Sequence, residues 1–143
     1  MKRVLFFQVL FLFIFTTAQA QIKKSPDYET AKAEAIKEKK DILIVLTGSE
    51  WCKPCVKMKK NVFENQEFVD YANEHFVIFE VNLPRHWDMN SKVYQDYSFF
   101  KEKYQTNALP SLVLLDSSEK LKAVISEKLT LFDKTMEKLK ELK

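Results

Sequence analysis

The residues best suited to chemistry are Cys52 and Cys55, the only two cysteines of the 143-residue chain, separated by Lys53 and Pro54. Two thiols this close can staple a loop, share a metal ion or interconvert between dithiol and disulfide. The staple is a weak reason for them, because closing so short a loop is worth only roughly 2 kcal/mol before strain is subtracted. A structural zinc site wants four ligands, and the two histidines, His75 and His86, have ten residues between them rather than standing as a close pair, so no metal is assigned. Thiol–disulfide exchange needs one thiol that ionises readily and a second that displaces it. Cys52 opens an amphipathic segment, so its sulfur faces unpaired backbone N–H groups and the positive end of a helix dipole. Lys53 adds a positive charge beside it, and both effects lower a thiol below its free pKa of about 8.5. Cys52 is therefore expected to attack, and Cys55, a turn further in, to resolve the mixed disulfide. Pro54 fixes φ in the first turn and helps hold the sulfurs at bridging distance. This chemistry calls for no cofactor.

The elements that must position this pair are legible on both sides of it. Asp41 to Thr47 is a compact apolar run rich in β-branched residues, suited to a strand buried on both faces, and it ends at Gly48, the only glycine. Residues 48–55 then turn into a helix whose inward stripe is Cys55, Met58 and Val62. Ahead of the strand, Ser25 as cap and Pro26 at the first helical position predict a helix running to about Lys40. A short helix from Gln66 to His75 and a second buried strand from Phe76 to Asn82 follow, and His75 reads as a helix-end residue. Residues 83–90, with His86 and Trp87, read as a surface loop, and Ser91 to Gln105 as a helix with Val93, Tyr97, Phe100 and Tyr104 on one side. Ser111 to Leu115 and Leu121 to Ile125 are strands joined by a turn at Asp116 to Glu119. Thr130 with Asp133 predicts the start of a last helix with Phe132, Met136, Leu139 and Leu142 inward. Strands joined through a helix are expected to run parallel, and the last two strands antiparallel, giving a mixed sheet with helices on both faces.

The first 20 residues carry Lys2 and Arg3, an apolar run from Val4 to Phe15 broken only by Gln8, and Ala18-Gln19-Ala20. That is the layout of a cleavable secretory signal at residues 1–20, leaving residues 21–143 as one domain. A retained anchor is the alternative, but spanning needs about 20 apolar residues. Without Lys2 and Arg3 the 23 basic residues become 21 against 20 acidic ones, a net charge of +1, which argues against a nucleic-acid partner. An exported location also suits a protein that works on disulfides.

With Trp51-Cys52-Lys53-Pro54-Cys55 opening a helix after a buried strand, and Leu109-Pro110-Ser111 ahead of a hairpin and a terminal helix, residues 26–143 resemble the thioredoxin superfamily. The resemblance implies a thioredoxin-like α/β fold, a central mixed sheet of about four strands flanked by helices. It implies a monomeric, periplasmic or secreted thiol–disulfide oxidoreductase that reduces or isomerises disulfides in cysteine-containing exported proteins, with a membrane thiol-transfer protein as electron donor. It also implies a cis Pro110 beside the cysteines, backbone around Leu109 that receives a substrate peptide as an added strand, and a partly exposed Trp51. Read without the resemblance, Pro110 is an ordinary trans proline and Trp51 a core or surface aromatic. Two features depart from the family pattern: Leu46 stands where thioredoxins carry a buried acid, and the glycine usual after the proline is missing. Glu80, an acid within an otherwise apolar strand, is either the proton acceptor for Cys55 or a solvent-facing residue on a sheet edge. The competing function is a noncatalytic thioredoxin-fold domain that binds peptides or acts as a chaperone.

Overall fold

A computed structural model describes residues 21–143, so the expected export signal lies outside the described residues. The chain runs α1 (Tyr28–Glu38), β1 (Asp41–Thr47), α2 (Lys53–Met58), a π-helical turn (Lys59–Phe63), α3 (Gln66–His75), β2 (Phe76–Asn82), α4 (Lys92–Tyr104), β3 (Ser111–Leu115), β4 (Leu121–Ile125) and α5 (Phe132–Glu141). Among the described residues no helix is long and apolar enough to cross a membrane.

The four strands form one sheet in the order β2-β1-β3-β4. β1 is central and wholly apolar between Asp41 and Thr47 because both its faces are covered. On one face Leu43, Val45, Ile78, Leu112 and Leu114 pack with Met58, Val62, Phe68, Met136 and Leu139 from α2, the π turn, α3 and α5. On the other, Ile42, Ile44, Leu46, Phe79 and Val113 pack with Ala31 and Ala35 of α1 and Phe100 and Tyr104 of α4. The alternation of β1 between these two sets follows directly from the period of two along a strand.

β1 and β2 are parallel, as a helical crossover predicts. β3 departs from that expectation: it follows α4 yet runs antiparallel, pairing with β1 on the edge opposite β2. The consequence is functional. Thr47 pairs with Asn82 and Leu46 with Ser111, so the exit of β1, the exit of β2 and the start of β3 meet at one end of the sheet.

Three local expectations are also corrected. Helix α1 is capped by Asp27, whose carboxylate accepts from the Thr30 N–H at 2.8 Å and the Thr30 hydroxyl at 2.9 Å. Ser25 is drawn away from capping because its N–H donates to the Ile78 carbonyl at 2.8 Å and its hydroxyl to Glu34. The helix after the cysteines changes to a π turn at Lys59, which lets the consecutive residues Val62 and Phe63 both be buried. Helix α5 starts after Leu131 with no side-chain cap, and the Thr135 hydroxyl instead donates back to the Leu131 carbonyl at 3.0 Å.

Candidate active site

The turn leaving β1 is built by its own backbone. The N–H groups of Trp51 and Cys52 both donate to the Gly48 carbonyl, at 3.1 and 2.9 Å, which folds residues 48–52 back and delivers Cys52 as the N-cap of α2. The turn is also clipped to the end of β2. Asn82 accepts from the Ser49 N–H at 2.9 Å and donates to the Ser49 hydroxyl at 2.7 Å, while the Leu83 N–H donates to the Thr47 carbonyl at 2.8 Å. Neither Asn82 nor Ser49 stood out in the sequence, although an amide at a strand exit is a turn signal.

Cys52 and Cys55 are joined by a disulfide, with Cα atoms 5.2 Å apart. The Cys52 sulfur accepts from the Cys55 N–H at 3.3 Å, so it sits against one of the donors that a helix start leaves without an intrahelical partner. Pro54 occupies the first turn of the helix, where its missing N–H removes no intrahelical bond. The two sulfurs are unequal in access: Cys52 is 8% exposed and Cys55 is fully buried. Lys53 is exposed beside them.

Opposite the pair, the Leu109–Pro110 peptide bond is cis, and the Leu109 carbonyl oxygen lies 3.6 Å from the Cys52 sulfur. The carbonyl can accept from a Cys52 thiol when the disulfide is open. Ser111, buried at the start of β3, donates its hydroxyl to the Ala108 carbonyl at 2.6 Å and so fixes the turn that presents Leu109 and Pro110.

The other wall is aromatic. Trp51 Nε1 donates to the Leu83 carbonyl at 2.8 Å, its ring packs 6.0 Å from that of Trp87, and Trp87 stacks on Tyr94 at 6.3 Å. The 83–90 segment, read from the sequence as a plain surface loop, therefore braces Trp51 through Trp87. His86 is exposed in that loop, and His75 is the last residue of α3.

Glu80 lies on the sheet face covered by α2, because it stands two and four residues from Ile78 and Phe76 along β2 and pairs in register with Val45. Its carboxylate is ion-paired with Lys24, and its side chain is 17% exposed. It lines a cavity of about 570 Å³ together with Lys24, Val45, Thr47 and Met58. Met58 is one turn beyond Cys55, but neither cysteine lines this cavity.

These elements match known proteins. A family model described as a thioredoxin-like domain matches residues 28–128. The thioredoxin-related protein DsbJ of Chlamydia pneumoniae is 31% identical over 94 residues, covering 66% of this chain and 27% of that protein. The disulfide bond reductase DsbH of the same organism is 29% identical over 93 residues, covering 65% of this chain and 56% of that protein. The chain thus spans little more than half of the one curated relative and about a quarter of the other. Among solved structures, a DsbH oxidoreductase superposes with a TM-score of 0.76 at 26% identity, over 87% of this chain and 86% of that one. The four-stranded mixed sheet with helices on both faces, the Cys52–Cys55 pair at a helix start and the family match over residues 28–128 together place this chain in the thioredoxin-like family.

Proposed function

We propose that this protein is an exported thiol–disulfide oxidoreductase that reduces or isomerises disulfides in cysteine-containing proteins. The observation that carries the reading is the asymmetric Cys52–Cys55 disulfide, with Cys52 slightly accessible at a helix N-terminus and Cys55 fully enclosed. In the reductive direction the Cys52 thiolate attacks one sulfur of a client disulfide. A Cys52–client bond forms, and the second client sulfur leaves as a thiolate that takes a proton. Cys55 then gives up its proton and attacks the Cys52 sulfur, releasing the first client sulfur and closing the Cys52–Cys55 disulfide. Two electrons pass to the client, and a membrane thiol-transfer protein is the donor that restores the dithiol.

Each neighbour has a role in this scheme. The Cys55 N–H and the first turn of α2 stabilise the Cys52 thiolate, Lys53 adds a positive charge, and Pro54 shapes the turn. Trp51 and the backbone around Leu109 and Pro110 form the two sides of a slot for an extended client peptide that pairs with the chain as an added strand. Glu80, ion-paired with Lys24, takes up the Cys55 proton. Residues 1–20 direct export and are removed, leaving residues 21–143 as the working domain.

The test is trapping. Cys55→Ser removes the resolving sulfur, so mixed disulfides with client proteins should accumulate on Cys52, whereas Cys52→Ser should trap nothing and lack activity. If Cys55→Ser traps no protein under oxidising conditions, or if Cys55 alkylates faster than Cys52 in the reduced fold, the assignment fails and the noncatalytic peptide-binding reading replaces it.

A further inference from the structure

The segment that carries Cys55, α2 with the π turn after it, holds several lysines and no carboxylate. On α1, α4 and α5 some lysines are tied to carboxylates of the same helix, Lys32 to Glu29, Lys92 to Asp96, Lys134 to Glu137 and Lys138 to Glu141, although Lys37, Lys101 and Lys103 enter no ion pair among the described residues. The segment from Lys53 to Phe63 has no such pair. Lys53, Lys57 and Lys60 are exposed and take part in no ion pair among the described residues. Lys53 and Lys57 of α2 and Lys60 of the π turn continue one exposed side that also holds Val56, which is 44% exposed. The nearest acids in sequence, Glu50 before Cys52 and Glu64 beyond Lys60, are exposed and pair with none of these lysines.

Neither folding nor the chemistry of the sulfurs accounts for this stripe. Like charges three and four residues apart repel on a helix, as Lys53 with Lys57 and Lys57 with Lys60 do. A lysine in the first turn also opposes the helix dipole. Thiolate stabilisation explains Lys53 and reaches Lys57 only near its limit, about 7.5 Å along the axis, and it does not reach Lys60. At about 1.5 Å of rise per residue Lys60 lies about 12 Å along the axis from Cys52, beyond the screening length of about 8 Å in physiological salt. A general attraction to polyanions does not fit a domain whose basic and acidic residues nearly balance.

We propose that Lys57 and Lys60, continuing from Lys53 and flanking Val56, dock the carboxylate-rich surface of the protein that exchanges disulfides with Cys52. The partner is one whose reacting cysteine is flanked by aspartate and glutamate. Its acidic face lies along the lysines while its sulfur meets Cys52 at the start of the same helix. The stripe steers encounter and sets orientation, which is where charge complementarity acts most strongly. This proposal rests on the exchange reaction proposed above.

The experiment compares rates of disulfide reduction by the reduced protein. The substrates are disulfide-bonded peptides of one length whose cysteine is flanked by Glu, Gln or Lys, and the uncharged hydroxyethyl disulfide. At low ionic strength the Glu peptide should react about tenfold faster than the Gln peptide, and the Lys peptide more slowly than either. In about 1 M salt, where the screening length falls to about 3 Å, the three rates should converge. The double variant Lys57→Gln, Lys60→Gln should bring the Glu peptide down to the Gln rate while hydroxyethyl disulfide is reduced as before. Equal rates for all three peptides, with hydroxyethyl disulfide still reduced, overturn the docking surface and leave the exchange reaction standing. A variant that slows hydroxyethyl disulfide as much as the Glu peptide assigns these lysines to the sulfur and also overturns docking. Failure to reduce any disulfide overturns the exchange reaction itself.

Discussion

Gly48→Ala should destabilise the fold through a single identifiable contact. A Cβ at Gly48 would lie 2.7 Å from Cε2, 2.9 Å from Cζ2 and 3.0 Å from Nε1 of Trp51. The indole has little room to retreat, since Nε1 is bonded to the Leu83 carbonyl and the ring is packed against Trp87. The backbone itself raises no objection: Gly48 does not have a positive φ, so alanine gains about 0.4–1 kcal/mol from the smaller entropy of its unfolded chain. Against that gain, overpacking costs about 1–3 kcal/mol. Swinging the ring aside instead breaks a hydrogen bond with a net value of about 0.5–1.5 kcal/mol and disturbs the packing as well. The balance is a loss of about 1–2 kcal/mol, or a fall of about 0.5–1 M in the urea midpoint for a slope near 2 kcal/mol/M. Trp51 and Trp87 are the only tryptophans, so emission from the folded protein reports displacement of this cluster directly. The deciding control is Gly48→Ala in a Trp51→Ala background, where the obstruction is gone and the alanine should be neutral or stabilising. An equal loss in both backgrounds, or no loss and unchanged emission in the first, refutes the reasoning.

Glu80→Gln should slow disulfide exchange near neutral pH with the fold intact, and stopped-flow rates equal to the parent's return Glu80 to a structural partner of Lys24. Tyr28 donates to Glu119 at 2.8 Å, and burial first, then that bond, raises its phenol above the ordinary value near 10. The folded chain keeps this proton where the unfolded chain releases it, so the contribution is whole below about pH 10 and is lost as pH rises further. Thermal melts from about pH 9 to 11 should therefore show a shallower alkaline decline in Tyr28→Phe, and identical slopes dispose of the idea. Asp27→Ala removes the cap of α1 and should lower stability by about 1 kcal/mol in urea titration, whereas a Ser25→Ala loss attributable to capping would contradict the assignment. Intact mass of the protein secreted by its host should show a chain beginning at Gln21, and a full-length membrane-bound species would remove the export reading.

What the sequence by itself determined is everything that depends on neighbours along the chain. The bounds of β1 and β2 are legible because each is a short apolar run closed by polar residues, and α3 because its apolar stripe lies between turn residues. The place of Cys52 at a helix start follows from a strand, one glycine and Pro54 in sequence order. Only the tertiary structure decided the rest, because each remaining feature joins segments that pairwise spacing does not connect. Whether β3 lies beside β2 or across β1 from it is settled by which β1 edge is free, and that choice brings Leu109 and Pro110 to the cysteines. Ser25 has the right side chain to cap α1, yet the carbonyl of Ile78 and the carboxylate of Glu34 claim it. Trp87 looked like loop because nothing local buries it, and its ring finds Trp51 and Tyr94 only once β1 and β2 end side by side. An acid in an apolar strand is visible in sequence, but the lysine that pairs with Glu80 stands 56 positions earlier and reaches it only because residues near Lys24 lie alongside β2. Local propensity and periodicity act over a few residues, whereas hydrogen-bond partners and packing neighbours are chosen by whichever distant surface remains to be covered.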